Sequence, residues 1–489
     1  MSLALRGARL PGHDGLVDLL VEDGRIASIA PAAHEAAEPP AGAEPLAVDG
    51  RWVVPGLWDN HVHFTQWART SRRLDVSDAE SAAHAARLVE VTAPARDDEV
   101  LVGFGYHSAR WPDEPTRELL DRAAGGRPVV LIAGDLHACW LSTSAAGRFA
   151  PDSVAAVLCE DESFAVITAL ESRDEPDLDA WALEAGRQAA ARGVVGIVDL
   201  EMAWNLDVWL RRIEAGHDSL RIDFGTYTQD LGRAIELGLR TGEVIDGSSG
   251  LLSVGPFKVI TDGSLNTRTA FCFDPYPDSG ASEHPFGVLT VPTDELIELM
   301  TIASEAGLEP AVHAIGDHAN HLALDAFERV GCTGRIEHAQ LLATDDIARF
   351  ARLGVTASVQ PEHAMDDRDA ADALWAGRTG RAFPLAALHR AGARLAFGSD
   401  APVAPLDPWA SIASAVARSR GARAPWHPAN AVSREVALTA SARSSVAVGE
   451  VADLAVVERD PLACTLGELR RMPVAATLLG GRFTHTTLH

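Results

Sequence analysis

Leu57-Trp58-Asp59-Asn60-His61-Val62-His63-Phe64, entered through Arg51-Trp52-Val53-Val54-Pro55-Gly56, tells more about this chain than any other stretch. In a β-strand successive side chains point to opposite faces, so His61 and His63 share one face and Val62 takes the other. Two imidazoles so placed can grip a single divalent ion in a short, stiff frame. An isolated His-x-His is more often a pair of surface or core residues. Here four later strand-like segments each carry one more metal-competent residue, in an order that only a barrel brings together.

Outward from this stretch, short apolar runs ending in polar residues alternate with helix-length segments. The runs are 57–63, 194–200, 221–228, 257–262, 310–315, 335–340, 356–360 and 394–400. Helical patterns at 177–192, 293–306, 318–330 and 344–353 separate most of them, with caps or near-caps at Thr293, Asp317 and Thr344. Such alternation predicts an α/β fold, a (β/α)8 TIM barrel built from 57–69 and 176–446. An open doubly wound sheet is the alternative, but it would scatter the metal candidates over both sides of a switch point.

The two ends of the chain read as β-structure. Runs 17–22 and 25–29 flank Asp23-Gly24, a two-residue hairpin signal, and 47–54 follows a Pro- and Ala-rich loop. Runs 452–457, 474–479 and 482–487 have the same style. Neither end can bury a core alone, so 1–56 and 447–489 are expected to form one composite β-sandwich. The connection 64–193 is too long for a barrel loop and must have structure of its own. It contains apolar runs at 101–105, 129–133 and 164–168, and a helix-like 77–92 with Ser77 as N-cap. Residues 70–175 are expected as an insertion over the end of the barrel where such folds keep their active sites.

Composition narrows the function classes. The chain has 489 residues, 47% hydrophobic and 23% charged, as in ordinary globular enzymes. Its 42 Lys+Arg against 69 Asp+Glu give a net charge of −27. That argues against nucleic acid or an anionic membrane as partner, because phosphate binding needs clustered cations. Five scattered cysteines without a Cys-x-x-Cys pair fit reduced thiols. With no leader-like start and no long apolar stretch, the expected location is cytoplasmic. The expected partner is a small-molecule substrate, and a homodimer is left open.

The metal candidates follow the strands. The first supplies His61 and His63, the fourth Lys258, the fifth His313, the sixth His338 and the eighth Asp400. In a parallel barrel the C-terminal strand ends converge, so residues far apart in sequence can meet there. Imidazoles bind zinc-class ions well, and one carboxylate offers both a ligand oxygen and a proton acceptor. Lys258 is the odd member. Burial weakens its charged form, and a free amine can add carbon dioxide to give a carbamate that bridges two ions about 3.5–4 Å apart. An unmodified lysine beside a single ion is the alternative.

Taken together, Val54-Pro55-Gly56, the His61/His63 pair, Lys258, His313, His338 and Asp400 resemble the amidohydrolase superfamily of metal-dependent hydrolases. Further stretches are similar to its YtcJ-like branch, which includes the N-substituted formamide deformylases. They are Asp262-Gly263-Ser264-Leu265-Asn266-Thr267-Arg268-Thr269-Ala270, His313-Ala314-Ile315-Gly316-Asp317, Ser358-Val359-Gln360-Pro361-Glu362-His363 and Gly398-Ser399-Asp400-Ala401-Pro402-Val403. Residues 127–131 with Asp135, His137 and Trp140 resemble that branch's insertion. The resemblance covers nearly the whole chain and implies the sandwich, the barrel and the metal centre. One departure is a shortened segment between 441 and 454, expected to alter the last helix and the sandwich edge.

The expected function is metal-dependent hydrolysis of a carbon–nitrogen bond other than a peptide bond, in a small N-acyl or N-formyl amide. A cyclic amide or an ester is the runner-up. Metal, one or two zinc ions, activates water. Asp400 is the general base, His338 or the metal polarises the carbonyl, and Arg268 orients the remote end of the substrate. His137, Trp140, Trp111, His363 and Arg268 are the expected substrate contacts. Each has a plainer alternative: a surface group for the histidines, packing for the tryptophans, a loop ion pair for Arg268. A non-catalytic scaffold on the same fold would be marked by lost ligands, and all six are present.

Overall fold

Eight strands form one parallel sheet in the computed structural model of the chain, ordered as in the sequence. They are Leu57–Val62, Val194–Asp199, Arg221–Tyr227, Leu252–Ile260, Pro310–Ala314, Gly334–His338, Val355–Val359 and Leu395–Phe397. The described residues are all but 1, 33–42, 93–99, 107, 109–110, 135–137, 160, 175–176, 278, 280–282 and 489. The first and second strands are buried along their whole length, as strands covered on both faces must be. The last strand returns to the first. Asp400 N–H donates to His61 O at 2.7 Å, His63 N–H to Ala401 O at 2.9 Å, and Asn60 Nδ2 to Phe397 O at 3.0 Å. The sheet is therefore the expected barrel, and this closing seam carries three of the metal candidates, His61, His63 and Asp400.

The fourth strand starts five residues earlier than its expected 257, at Leu252. Gly255-Pro256 lies inside it. A Cβ on Gly255 would sit 2.6 Å from Phe224 O, and the ladder shifts register between Phe224 and Thr226. A bulge of this kind lets a strand carry a proline that cannot donate to the ladder. The extra length places Lys258 well inside the strand.

The composite sandwich forms as expected. One sheet runs Arg25–Pro31, Val17–Glu22, Ser2–Ala8, Ala43–Ala47; the other runs Arg482–Thr486, Val474–Leu479, Leu454–Val457, Trp52–Pro55. Leu5, Leu19, Val21, Val53, Leu454, Val456 and Leu478 share one buried core, each worth about 1.5–3 kcal/mol on burial. From Trp52–Pro55 the chain passes to the barrel at Gly56, where a Cβ would come within 2.4 Å of Val195 Cγ1.

Residues Thr65–Ala185 make a separate compact unit, somewhat wider than the expected 70–175. Its sheet has the order Val157–Cys159, Ala138–Leu141, Val129–Ala133, Leu101–Tyr106, Leu74–Asp75. The expected helix at 77–92 is Ala82–Val91, capped by Ser81 and not by Ser77. Ser77 is taken up locally, donating to Asp75 Oδ1 from N at 2.9 Å and from Oγ at 2.6 Å. Thr293, Asp317 and Thr344 likewise give no side-chain cap to the helices they begin. Asp317 instead accepts from Phe273 N at 3.0 Å and Arg381 Nη1 at 3.1 Å, fixing the loop before its helix. Among the described residues no helix is long and apolar enough to cross a membrane.

Candidate metal centre

His61, His338 and Asp400 each bring a ligand atom within 4.8 Å of the others. His61 Nδ1 donates to Glu337 Oε2 at 2.7 Å, which leaves Nε2 facing Asp400 Oδ1 at 3.3 Å. His63 Nε2 is 3.2 Å from the same oxygen. The His313 ring centroid lies 4.5 Å from that of His338, and its Nδ1 is held 3.1 Å from Asp262 Oδ1. Lys258 is buried opposite Tyr227 and Ala311 in the ladders. Burial pulls its ammonium down to about 8, although Glu337 and Asp400 act the other way.

Two of the ligand positions carry backbone strain. His338 has φ 73° and Asp400 φ 58°, both left-handed. For a residue with a Cβ this conformation costs roughly 1–2 kcal/mol, and it persists only where the surroundings enforce it. In the strand Gly334–His338, Arg335 and Glu337 share one face. The left-handed turn at His338 breaks the alternation, so Glu337 and His338, adjacent in sequence, both reach His61: Glu337 by its hydrogen bond, His338 by a ring contact at 5.0 Å.

A layer of carboxylates stands behind the imidazoles. Glu337 accepts from Arg335 Nε at 2.6 Å as well as from His61. Burial would raise its carboxyl, but Arg335 and His61 hold it well below the usual carboxylate range. Asp262 accepts from Phe271 N at 2.9 Å, Ile315 N at 3.0 Å and Gly316 N at 2.9 Å besides His313. Asp59 accepts from Ser399 N at 2.8 Å and is pushed up to about 7 by burial. Asp400 resists the same burial because His61, His63 and His338 keep it ionised, well below its ordinary range. Burial, together with Lys258, lowers His61 to about 4, and burial with His313 holds His338 well down.

This donor set fits a divalent ion. Its imidazoles at His61 and His338 are neutral and its carboxylate is ionised, the forms in which such ligands bind. His63 Nδ1 and His338 Nδ1 are buried ring nitrogens with no hydrogen-bond partner. Carboxylates anchor the far nitrogens of His61 and His313, the usual way of fixing a ligating ring.

A sequence model described as the amidohydrolase family matches residues 47–485. The chain belongs to the amidohydrolase family. The N-substituted formamide deformylase of Arthrobacter pascens is 27% identical to it, over 95% of this chain and 94% of that protein. The putative amidohydrolase YtcJ of Bacillus subtilis (strain 168) is 27% identical, over 90% of each chain. An uncharacterized metal-dependent hydrolase from Pyrococcus furiosus superposes with a TM-score of 0.75 at 25% identity, covering 95% of this chain and all of that one. The protein is thus a metal-dependent hydrolase.

The other expected site residues of this amidohydrolase fall in different places. His363 opens the short helix His363–Asp366, with Nε2 3.9 Å from Asp400 Oδ2 and its ring stacked 6.2 Å from His338. Arg268 is exposed at φ 58° in the turn after the fourth strand, and among the described residues it makes no ion pair. Trp140 corrects its expected place on a pocket wall. It has no exposed surface, lies in the core of the second unit, and donates from Nε1 to Thr116 O at 3.1 Å. Trp111 packs at the edge of that core, donating to Ala79 O at 2.8 Å and lying 5.4 Å from the Tyr106 ring. His137 lies outside the described residues. Sequence reading missed Glu337, Arg335, Asp262 and Asp59. The signal was there for Arg335 and Glu337: opposite charges two apart on one face of the strand that ends in His338.

Proposed function

We propose that this amidohydrolase cleaves the carbon–nitrogen bond of a small non-peptide amide, an N-acyl or N-formyl compound, with Asp400 as general base. The observation that carries the reading is the Asp400 carboxylate, buried yet ionised, with one oxygen 3.2–3.3 Å from His63 and His61 and the other 3.9 Å from His363. A zinc-class ion, or a pair, held by His61, His63, Lys258, His313, His338 and Asp400 would supply a Lewis acid that acidifies water and polarises a carbonyl. Lys258, its amine partly freed of charge, would join that set as a carbamate formed with carbon dioxide.

Asp400 takes the proton of the attacking water and hands it to the departing nitrogen. Water adds to the carbonyl carbon, the carbon–nitrogen bond breaks, and the products are a carboxylic acid and an amine. His338 lies beside the carbonyl, and Glu337 and Asp262 keep the neighbouring imidazoles oriented. His363, with Nε2 buried and unpartnered, is free to bind substrate. Arg268, exposed and without an ion pair among the described residues, offers a planar fork to a remote carbonyl or carboxylate. The formamide deformylase among the relatives makes an N-formyl amide the first compound to try.

Asp400→Asn keeps an oxygen donor but cannot accept a proton. On a panel of N-formyl and N-acyl amides the variant should keep its metal and lose at least about 10²–10⁴-fold in turnover. Near-normal turnover would move the base elsewhere. A wild-type protein that hydrolyses esters or cyclic amides and none of the acyclic panel would overturn the substrate class.

A further inference from the structure

The helix Pro408–Ala417 ends on Arg418, which has φ 52° and a fully buried side chain. Its Nε donates to Trp426 O at 3.2 Å, and its guanidinium carbon lies 5.5 Å from the Trp426 ring centroid. Nη1 and Nη2 are buried and have no hydrogen-bond partner among the described residues, which leaves their N–H donors unanswered. Burial pulls the group down to about 10, so it stays charged at neutral pH, and among the described residues no carboxylate opposes that shift.

A second arginine reaches the same segment. Arg368 Nε is also a buried donor without a partner, while its Nη1 donates to Ala424 O at 3.0 Å. Burial lowers the pKa of His427, Asp372 opposes that, and the positive charges of Arg418 and Arg368 lower it further. His427 itself is held at φ 46°. Asp372 is engaged by Trp426 Nε1 at 2.9 Å.

A buried cation without a counter-charge is strongly unfavourable, and a water molecule would answer an N–H without neutralising it. We propose that Arg418, with Arg368 bonded to the same 424–426 segment, forms a buried site for one small monovalent anion, a halide or a small carboxylate such as formate. Enclosure sets the size. Residues 420–425 are exposed and strapped down by ion pairs of Arg420 to Glu362 at 3.0 Å and Arg423 to Asp369 at 2.6 Å. An anion enters when that segment lifts, so exchange is slow.

The test uses the full chain at constant metal content. Its thermal midpoint is followed in bromide, chloride and formate against sulfate at equal ionic strength. A small anion that fits should raise stability saturably; at about 100 times its dissociation constant it shifts the folding equilibrium about 100-fold. A response to halides alone identifies an inorganic ion, and one to formate alone a carboxylate. Arg418→Met should abolish the response. Should that variant not fold, bromide-soaked wild-type crystals still decide, with an anomalous peak expected within hydrogen-bond distance of Nη1 and Nη2. No saturable response together with water at the guanidinium, or a response unchanged in Arg418→Met, would overturn the proposal.

Discussion

Glu337→Gln is the perturbation that most sharply separates holding a metal from merely folding. The carboxylate accepts two donors at once, His61 Nδ1 at 2.7 Å and Arg335 Nε at 2.6 Å, in a fully buried position. A glutamine has one oxygen, so its amide hydrogens must point at one of those donors. Facing His61, they reverse the tautomer and put a proton on Nε2, the nitrogen turned toward Asp400. Facing Arg335, they leave its Nε without an acceptor, and in either orientation the part-buried guanidinium loses its counter-charge. Loss of such an outer partner weakens metal affinity about 10–100-fold, which is about 1.4–2.8 kcal/mol. Breaking this part-buried pair should also lower the stability of the metal-free chain, by at most about 3–5 kcal/mol. Affinity is read by competition with a chromophoric chelator, and stability by denaturant unfolding of metal-free protein. Arg335→Met combined with Glu337→Leu removes both charges, so stability should recover while affinity stays low. Unchanged affinity in Glu337→Gln would show that His61 needs no orienting partner and would refute this reasoning.

Two further outcomes are expected. Lys258→Ala should lose metal and activity, with acetate or another small carboxylate restoring part of the metal content; a plain ammonium at Lys258 in a high-resolution map with two ions bound would end the carbamate reading. Trp140→Ala should cost about 3–5 kcal/mol through the cavity it leaves, seen as faster proteolysis within residues 65–185. Altered substrate selectivity at unchanged stability would instead put Trp140 back on the pocket wall.

Much of this molecule was legible because strands buried on both faces must be largely apolar, and Val194–Asp199 and Pro310–Ala314 read that way. A polar residue in such a run stands out for the same reason, as His313 does, whereas His61 is marked by its spacing from His63. Gly255-Pro256 misled because local composition reads as a break, whereas the close approach of Phe224 O makes it a bulge. Ser77 and Ser81 carry the same capping chemistry, and only the tertiary fold chooses between them. Trp140 could not be assigned from sequence, since a large aromatic serves a core and a pocket wall equally well. The left-handed backbone at His338 has no sequence signal either, and with it the partnership of Glu337 and His61 stayed hidden.

Metal content measured alongside amide hydrolysis tests the central claim most directly. The purified chain should carry about one to two zinc-class ions. Exhaustive chelation should remove them and the activity together, and added zinc, manganese or cobalt should restore both. Full hydrolytic activity in protein from which every ion has been stripped would contradict the account.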